Sequence, residues 1–120
     1  MILVDTSVWI NHLRSDDVQL KSLLIEGQVL THPFVIGELA LGNLKQRDAI
    51  LQFLTDLPSA TLADNDEVLK YIKQNSLNGV GIGYIDTHLL ASAKLSKATL
   101  WTEDTRLQKI ATQLGLSNIK

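Results

Sequence analysis

Short apolar runs alternate with amphipathic stretches along the whole chain. Ile2-Leu3-Val4 is apolar and partly β-branched and ends at Asp5, which is the pattern of a buried strand. Thr6 or Ser7 can then cap a short helix through Leu13. Ser15-Asp16-Asp17 reads as a turn and N-cap. The helix it opens is apolar at Val18, Leu20, Leu23, Leu24 and Ile25 and closes at Gly27. Val29-Leu30-Thr31 predicts a second strand, and Pro33 suits the first turn of a helix running to Gly42. Another helical pattern spans about Gln46 to Leu57, where Pro58 stops it. Ala60-Thr61-Leu62 is a strand candidate, and Asp64-Asn65-Asp66 offers caps for a helix through about Leu77.

The loop Asn78-Gly79-Val80-Gly81-Ile82-Gly83 leads into a helix from about Tyr84 to Leu95. Ala98-Thr99-Leu100-Trp101-Thr102 predicts a strand. A last helix runs from about Glu103 to Gly115, and the tail adds a final short strand near Ile119. Strands alternating with helices imply an α/β fold whose mostly parallel sheet is covered on both faces. In such sheets ligands gather beyond the carboxyl ends of the strands.

Acids stand at or near those ends. Asp5 follows the first strand and Asp104 follows the strand closing at Thr102. Each has an ordinary alternative as a helix cap. Glu38 lies within Pro33-Phe34-Val35-Ile36-Gly37-Glu38-Leu39-Ala40-Leu41, a stretch apolar almost all round and so expected to be buried. A carboxylate buried there costs several kcal/mol unless it is compensated. Asp86 sits within Ile82-Gly83-Tyr84-Ile85-Asp86-Thr87-His88, again an acid in an apolar helix, with a first-turn dipole role as its alternative. Four clustered carboxylates repel one another, so a cation is expected among them. Oxygen-only ligands favour Mg²⁺ or Mn²⁺ over zinc, and such an ion supports hydrolysis of a phosphodiester.

Composition narrows the class without changing this picture. The chain of 120 residues is 45% hydrophobic and 20% charged, which fits one ordinary folded domain over 1–120. Without cysteine, disulfides, thiolate zinc sites and thiol catalysis are excluded. The opening residues lack a basic and an apolar leader region, and no apolar run approaches the ~20 residues of a membrane span. The expectation is a soluble, cytoplasmic protein with no membrane partner. A net charge of −2 argues against a tight DNA-binding module, but less against a nuclease whose metal brings positive charge to the phosphate.

The motifs resemble those of the PIN-domain nucleases, most closely the VapC-type toxins of bacterial toxin–antitoxin pairs. Val4-Asp5-Thr6-Ser7-Val8-Trp9-Ile10 resembles the first family motif and Thr31 to Gly42, around Glu38, the second. Ile85-Asp86-Thr87-His88-Leu89-Leu90-Ala91-Ser92-Ala93 resembles the third, and Leu100-Trp101-Thr102-Glu103-Asp104-Thr105-Arg106-Leu107 the fourth. The resemblance implies a three-layer sandwich with a parallel sheet between helices, and Mg²⁺- or Mn²⁺-dependent endoribonuclease activity. It carries over Asp5, Glu38, Asp86 and Asp104 as the catalytic, metal-binding set, with Thr6, Ser7 and Thr102 as hydroxyl support, and prefers Asp104 to Glu103. It further implies an RNA substrate, a homodimer, and a cognate antitoxin through which DNA is met only indirectly.

His12, His32 and His88 show no metal-ligand spacing and read as ordinary hydrogen-bonded or surface residues. Trp9 and Trp101 read as core rather than base-stacking platforms. Arg14, Lys45, Arg47, Lys94, Lys97 and Arg106 each read singly as solvated surface. A haloacid-dehalogenase-type phosphatase wants a second acid two residues after Asp5, where Ser7 stands. A receiver domain wants paired acids after the first strand and a phospho-accepting Asp after the third. The remaining alternatives are a housekeeping PIN nuclease and a non-catalytic α/β binding module.

Overall fold

The computed structural model describes residues 1–118. The chain opens with β1 (Ile2–Val4), α1 (Thr6–Ser15), α2 (Val18–Ile25) and β2 (Val29–Leu30). Four helices follow in succession, α3 (Pro33–Ala40), α4 (Arg47–Asp56), α5 (Asn65–Gln74) and α6 (Tyr84–Leu95), before β3 (Thr99–Trp101) and α7 (Thr105–Gln113). The three strands form a parallel sheet in the order β2-β1-β3, with Ile2 opposite both Val29 and Thr99, and Val4 opposite Trp101.

That order places β1 at the centre and reverses the direction of travel. The crossover through α1 and α2 leads from β1 to one side, whereas α3 to α6 return across β1 to the other. Right-handed crossovers of opposite direction place their helices on opposite faces of the sheet. The carboxyl ends of the three parallel strands lie on one edge, and the switch in direction at β1 is the position where α/β sheets bind ligands. On one face α6 packs against β1 and β3. Leu3, Val4, Val8, Leu20, Leu89, Leu90, Leu100 and Leu107 are fully or almost fully buried, and Trp9 and Trp101 join the same core, as expected.

Local chemistry fixes the helix starts. Asp17 accepts from Leu20 N at 2.9 Å, and Asp64 and Glu67 form a reciprocal capping box at the start of α5. α5 stops at Gln74, short of Leu77, because the chain turns through a left-handed Ser76 at φ 53. Neither Thr6 nor Ser7 caps α1. Asp5 takes the N-cap position, and its side chain makes no capping bond.

The strand expected at Ala60-Thr61-Leu62 does not form. Only an isolated parallel bridge joins Thr31 to Ser59. Thr61 N instead donates to Ser96 Oγ at 2.8 Å, so a side chain beyond α6 takes the hydrogen bond a ladder would use. The tail strand expected near Ile119 falls outside the described residues; just before it, Leu100 and Ser117 form an isolated parallel bridge. Among the described residues no helix is long and apolar enough to cross a membrane.

Burial separates the apolar residues by consequence. Leu3 is 0% exposed on the central strand, whereas Ile25 is 87% exposed at the end of α2. Leu3→Ala is expected to lower unfolding free energy by about 3 kcal/mol, and Ile25→Ala by less than about 0.5 kcal/mol. Urea denaturation of the two variants checks this, and similar losses for both would contradict the placement of the core.

Candidate active site

β1 delivers Asp5 to the end of the central strand with only 6% of its surface exposed. Two hydroxyls converge on one of its oxygens. Ser7 Oγ and Thr102 Oγ1 each donate to Asp5 Oδ2 at 2.8 Å. Each hydroxyl in turn accepts a backbone N–H, Ser7 from Glu103 and Thr102 from Asp104, both at 3.0 Å. A hydroxyl has one proton, so accepting from the backbone leaves that proton for the carboxylate. Asp5 N also donates to Trp101 O at 2.9 Å, which ties the residue to the neighbouring strand. These bonds hold Asp5 toward the end of β3 and away from the helix it precedes.

Asp104 is exposed and accepts from Leu107 N at 2.9 Å, capping α7. The capping role uses Oδ1 and leaves Oδ2, so cap and site membership are compatible. Asp86, in the first turn of α6, is half-buried and accepts from Gly83 N at 3.4 Å. Glu38 corrects an expectation, because it is exposed. α3 is apolar in composition, yet it buries only Val35 and Leu39 and leaves Phe34 39% exposed. The burial cost expected for Glu38 does not apply. Its link to the strand end is Thr6 Oγ1, which donates to Glu38 Oε1 at 2.8 Å.

The four acids share one electrostatic field. Asp86 is pushed above the ordinary carboxylate range, first by desolvation and then by the charge of Asp5, with smaller pushes from Asp104 and Glu38. The hydrogen bond from Gly83 opposes this. Among the described residues no three acids or histidines close into a ready cation cage. The donor chemistry nevertheless fits a hard cation. Asp5 Oδ1, Glu38 Oε2, Asp86 Oδ1 and Asp104 Oδ2 receive no hydrogen bond from the described residues, and all are carboxylate oxygens.

The histidines are less ordinary than the sequence suggests. His32 and His88 are 2% and 4% exposed, and neither lies on the surface. His32 precedes α3, and its Nδ1 accepts from Phe34 N at 3.0 Å, so the neutral ring carries its proton on Nε2. A file of rings runs from His32 through Phe34 and His88 to Tyr84, with centroids 4.7–5.1 Å apart. Tyr84 Oη then donates to Asn65 Oδ1 at 3.0 Å. The file joins the starts of α3, α5 and α6, and thereby the two helices that carry Glu38 and Asp86. Burial, with a smaller push from His88, lowers the His32 pKa from 6.5 to about 4. His88 is also lowered, by burial.

One cavity of about 950 Å³ is lined by Asp86, Glu103 and Asp104 together with Gly81, Arg106 and Lys109. Lys109 is a residue that single-position reading passes over. Its signal in the sequence is the three-residue spacing from Arg106, which puts both cations on one helical face.

The PIN domain family model matches residues 2–113. Ribonuclease VapC32, from two strains of Mycobacterium tuberculosis, is 46% identical to this chain over 118 residues, covering 98% of the chain and 95% of the relative.

Two expectations follow from the charges. Removing the negative charge of Asp104 eases ionisation of Asp86, so Asp104→Asn is expected to shift the Asp86 titration downward. Carboxyl NMR of the metal-free protein reads this, and an unmoved Asp86 would break the proposed coupling. For His32, the folded pKa lies below the unfolded value, so its contribution is fully present above about pH 6.5. It is lost as pH falls toward about 4. His32→Asn keeps an N-cap acceptor but does not titrate. From pH 7 to pH 5 the variant should lose about 2 kcal/mol less stability than the parent. Parallel urea curves at both pH values test it, and equal losses would contradict the buried neutral ring.

Proposed function

The chain belongs to the PIN-domain family, and from that premise we propose that it is a Mg²⁺- or Mn²⁺-dependent endoribonuclease, the toxin of a toxin–antitoxin pair. The observation that carries this reading is the parallel pairing of β1 with β3, which sets Asp5 and Asp104 past the same sheet edge, with Asp5 bonded to Thr102 and Asp86 lining one cavity with Asp104. It occurs in a chain 46% identical, over nearly its whole length, to a protein named as a ribonuclease. The match over 2–113 supports reading residues 1–120 as one PIN-like domain. The working setting is cytoplasmic, the partners are RNA, a cognate antitoxin and a second copy of the chain, and DNA is met only through the antitoxin complex.

Asp5, Asp86 and Asp104 would hold the cation, with Glu38 as a further ligand or as the acid that orients attacking water. When bound, the cation supplies Lewis acidity toward the phosphoryl oxygens and lowers the pKa of water enough for attack near neutral pH. The chain's own contribution is orientation. Ser7 and Thr102 spend their protons on Asp5 Oδ2, which would leave Oδ1 available to a cation and holds the carboxylate out of a capping bond. Thr6 does the same for one oxygen of Glu38. Glu38, being exposed, meets water without first being desolvated.

Degradation of a structured RNA with Mg²⁺ or Mn²⁺ tests the assignment. Asp5→Asn and Glu38→Gln should each reduce turnover by more than about 100-fold. Thr102→Val, which removes only support, should fall within the roughly 10–100-fold range of outer-shell losses. Equal activity in the parent, Asp5→Asn and Glu38→Gln would defeat the reading. Growth arrest on expression, relieved by co-expressing the neighbouring small gene, separates a toxin from a housekeeping nuclease. No arrest would leave the nuclease without the toxin role.

A further inference from the structure

The cavity beside Asp86 and Asp104 carries two cations that form no ion pair among the described residues. Arg106 and Lys109 are both exposed on α7 and line it. Asp86, Glu103 and Asp104 line the same space, yet among the described residues neither cation forms an ion pair. Arg106 is nonetheless held in place. Its Nη1 donates to Gly81 O at 3.3 Å, and its guanidinium lies so closely over Gly81 that a Cβ there would overlap Nη1. Gly81 has φ +84, a backbone shape that glycine adopts without strain. The glycine thus serves as a seat for the arginine.

Arginine has five N–H donors, and the Gly81 bond uses one. The others form a planar fork suited to phosphate, beside a lysine one helical turn further on. Asp86, Glu103 and Asp104 line the same cavity as the two cations, so a polyanion whose scissile phosphate lies at those acids brings a neighbouring phosphate to the wall that carries Arg106 and Lys109. Resting on the ribonuclease reading above, we propose that this cavity is a substrate subsite. It takes the backbone phosphate flanking the scissile one on a single strand of RNA, bound by Arg106 and Lys109, with Gly81 positioning Arg106.

The test uses the full chain and a labelled single-stranded oligoribonucleotide. Steady-state cleavage is measured with Mn²⁺, and binding by anisotropy across a salt series in a Glu38→Gln background that stops turnover. Arg106→Ala should raise KM and Kd by about 10-fold while kcat changes less than about 2-fold. The slope of log K against log salt should fall by about 0.7, the value for one phosphate contact on a single strand. Arg106→Lys should recover part of the affinity, since it keeps the charge and loses the fork. Gly81→Ala, which keeps every charge but displaces the guanidinium and strains the backbone at φ +84, should raise Kd in the same direction.

An unchanged Kd and salt slope in Arg106→Ala, with the parent binding RNA, would overturn the subsite. So would a fall in kcat at constant KM, which would move Arg106 to the chemical step. Poly-glutamate is the probe for an acidic protein segment. If it binds with Arg106-dependent affinity while RNA does not, the cavity belongs to a protein partner and the proposal fails. A parent that binds RNA with the predicted Arg106 dependence but cleaves none supports the phosphate contact of Arg106 and defeats the nuclease reading. A parent that neither binds nor cleaves RNA defeats both.

Discussion

Ser7 and Thr102 meet at a single oxygen of Asp5, and much of the molecule's order passes through that junction. The carboxylate is almost fully buried, so it needs hydrogen bonds that match its charge. Ser7 comes from the first turn of α1, Thr102 from the end of β3, and each is itself supplied with a backbone N–H from the segment opening α7. One carboxylate therefore ties together the central strand, its neighbour and the two helices that leave them. The parallel pairing of Val4 with Trp101 sets the distance, and the hydroxyls set the direction. A shift of register by one residue would turn Asp5 to the opposite face of the sheet and leave both hydroxyls without their acceptor.

The same end of the sheet carries a destabilising load. Asp86 binds its proton more tightly than an ordinary carboxyl because desolvation and three other acids oppose its charge. With the raised value in the folded state, ionising it above that pKa works against folding. Such a site persists only if the rest of the domain offsets it. The core does so with strands whose apolar residues are buried on both faces of the sheet, and with α6, whose residues from Thr87 to Ala93 are all buried. The file of rings from His32 to Tyr84 adds rigidity where the repulsion acts, since it fixes the starts of α3 and α6 to each other. Buried neutral histidines suit this task near neutral pH, because they fill space without adding charge beside the acids.

Most of the element order was legible because the punctuation is strong. Asp17, Pro33, Asp64 and Gly83 mark helix starts whose hydrogen bonds or fixed φ angles are local, and β1 and β3 stand out as apolar runs that end in polar residues. What failed depended on partners. Ala60 to Leu62 has a strand's composition, but a ladder needs a neighbour in register, and Ser96 takes Thr61 N instead. Glu38 was singled out for burial on composition. Burial is decided by which face of α3 meets the core, and there an apolar stretch is ambiguous because Val35 and Leu39 go inside while Phe34 and Leu41 do not. His32 and His88 looked ordinary because the ring file is built from residues far apart in sequence. The convergence of Asp5 and Asp104 was readable for the opposite reason, since both follow parallel strands directly and strand ends are local features.

The acids also divide their surroundings into two unlike flanks. Beyond Glu38 lies a cavity of about 460 Å³ whose wall includes Ile10, Leu13, Leu39 and Ile50. Beyond Asp86 and Asp104 lie Arg106, Lys109 and the glycine loop. Electrostatics alone would favour drawing a polyanion from either side, because Arg14 and Lys45 stand at the first cavity too. What separates them is how the charge is held. Arg106 is seated against Gly81, so its fork faces a fixed direction before any ligand arrives and loses less freedom on binding. On the Glu38 side no hydrogen bond or ion pair among the described residues holds the side chain of Arg14 or Lys45, and the rest of that wall is mostly carbon, with Asn43 as its other side-chain donor. Preorganised charge beside the acids is what favours the Arg106 flank for the proposed phosphate contact.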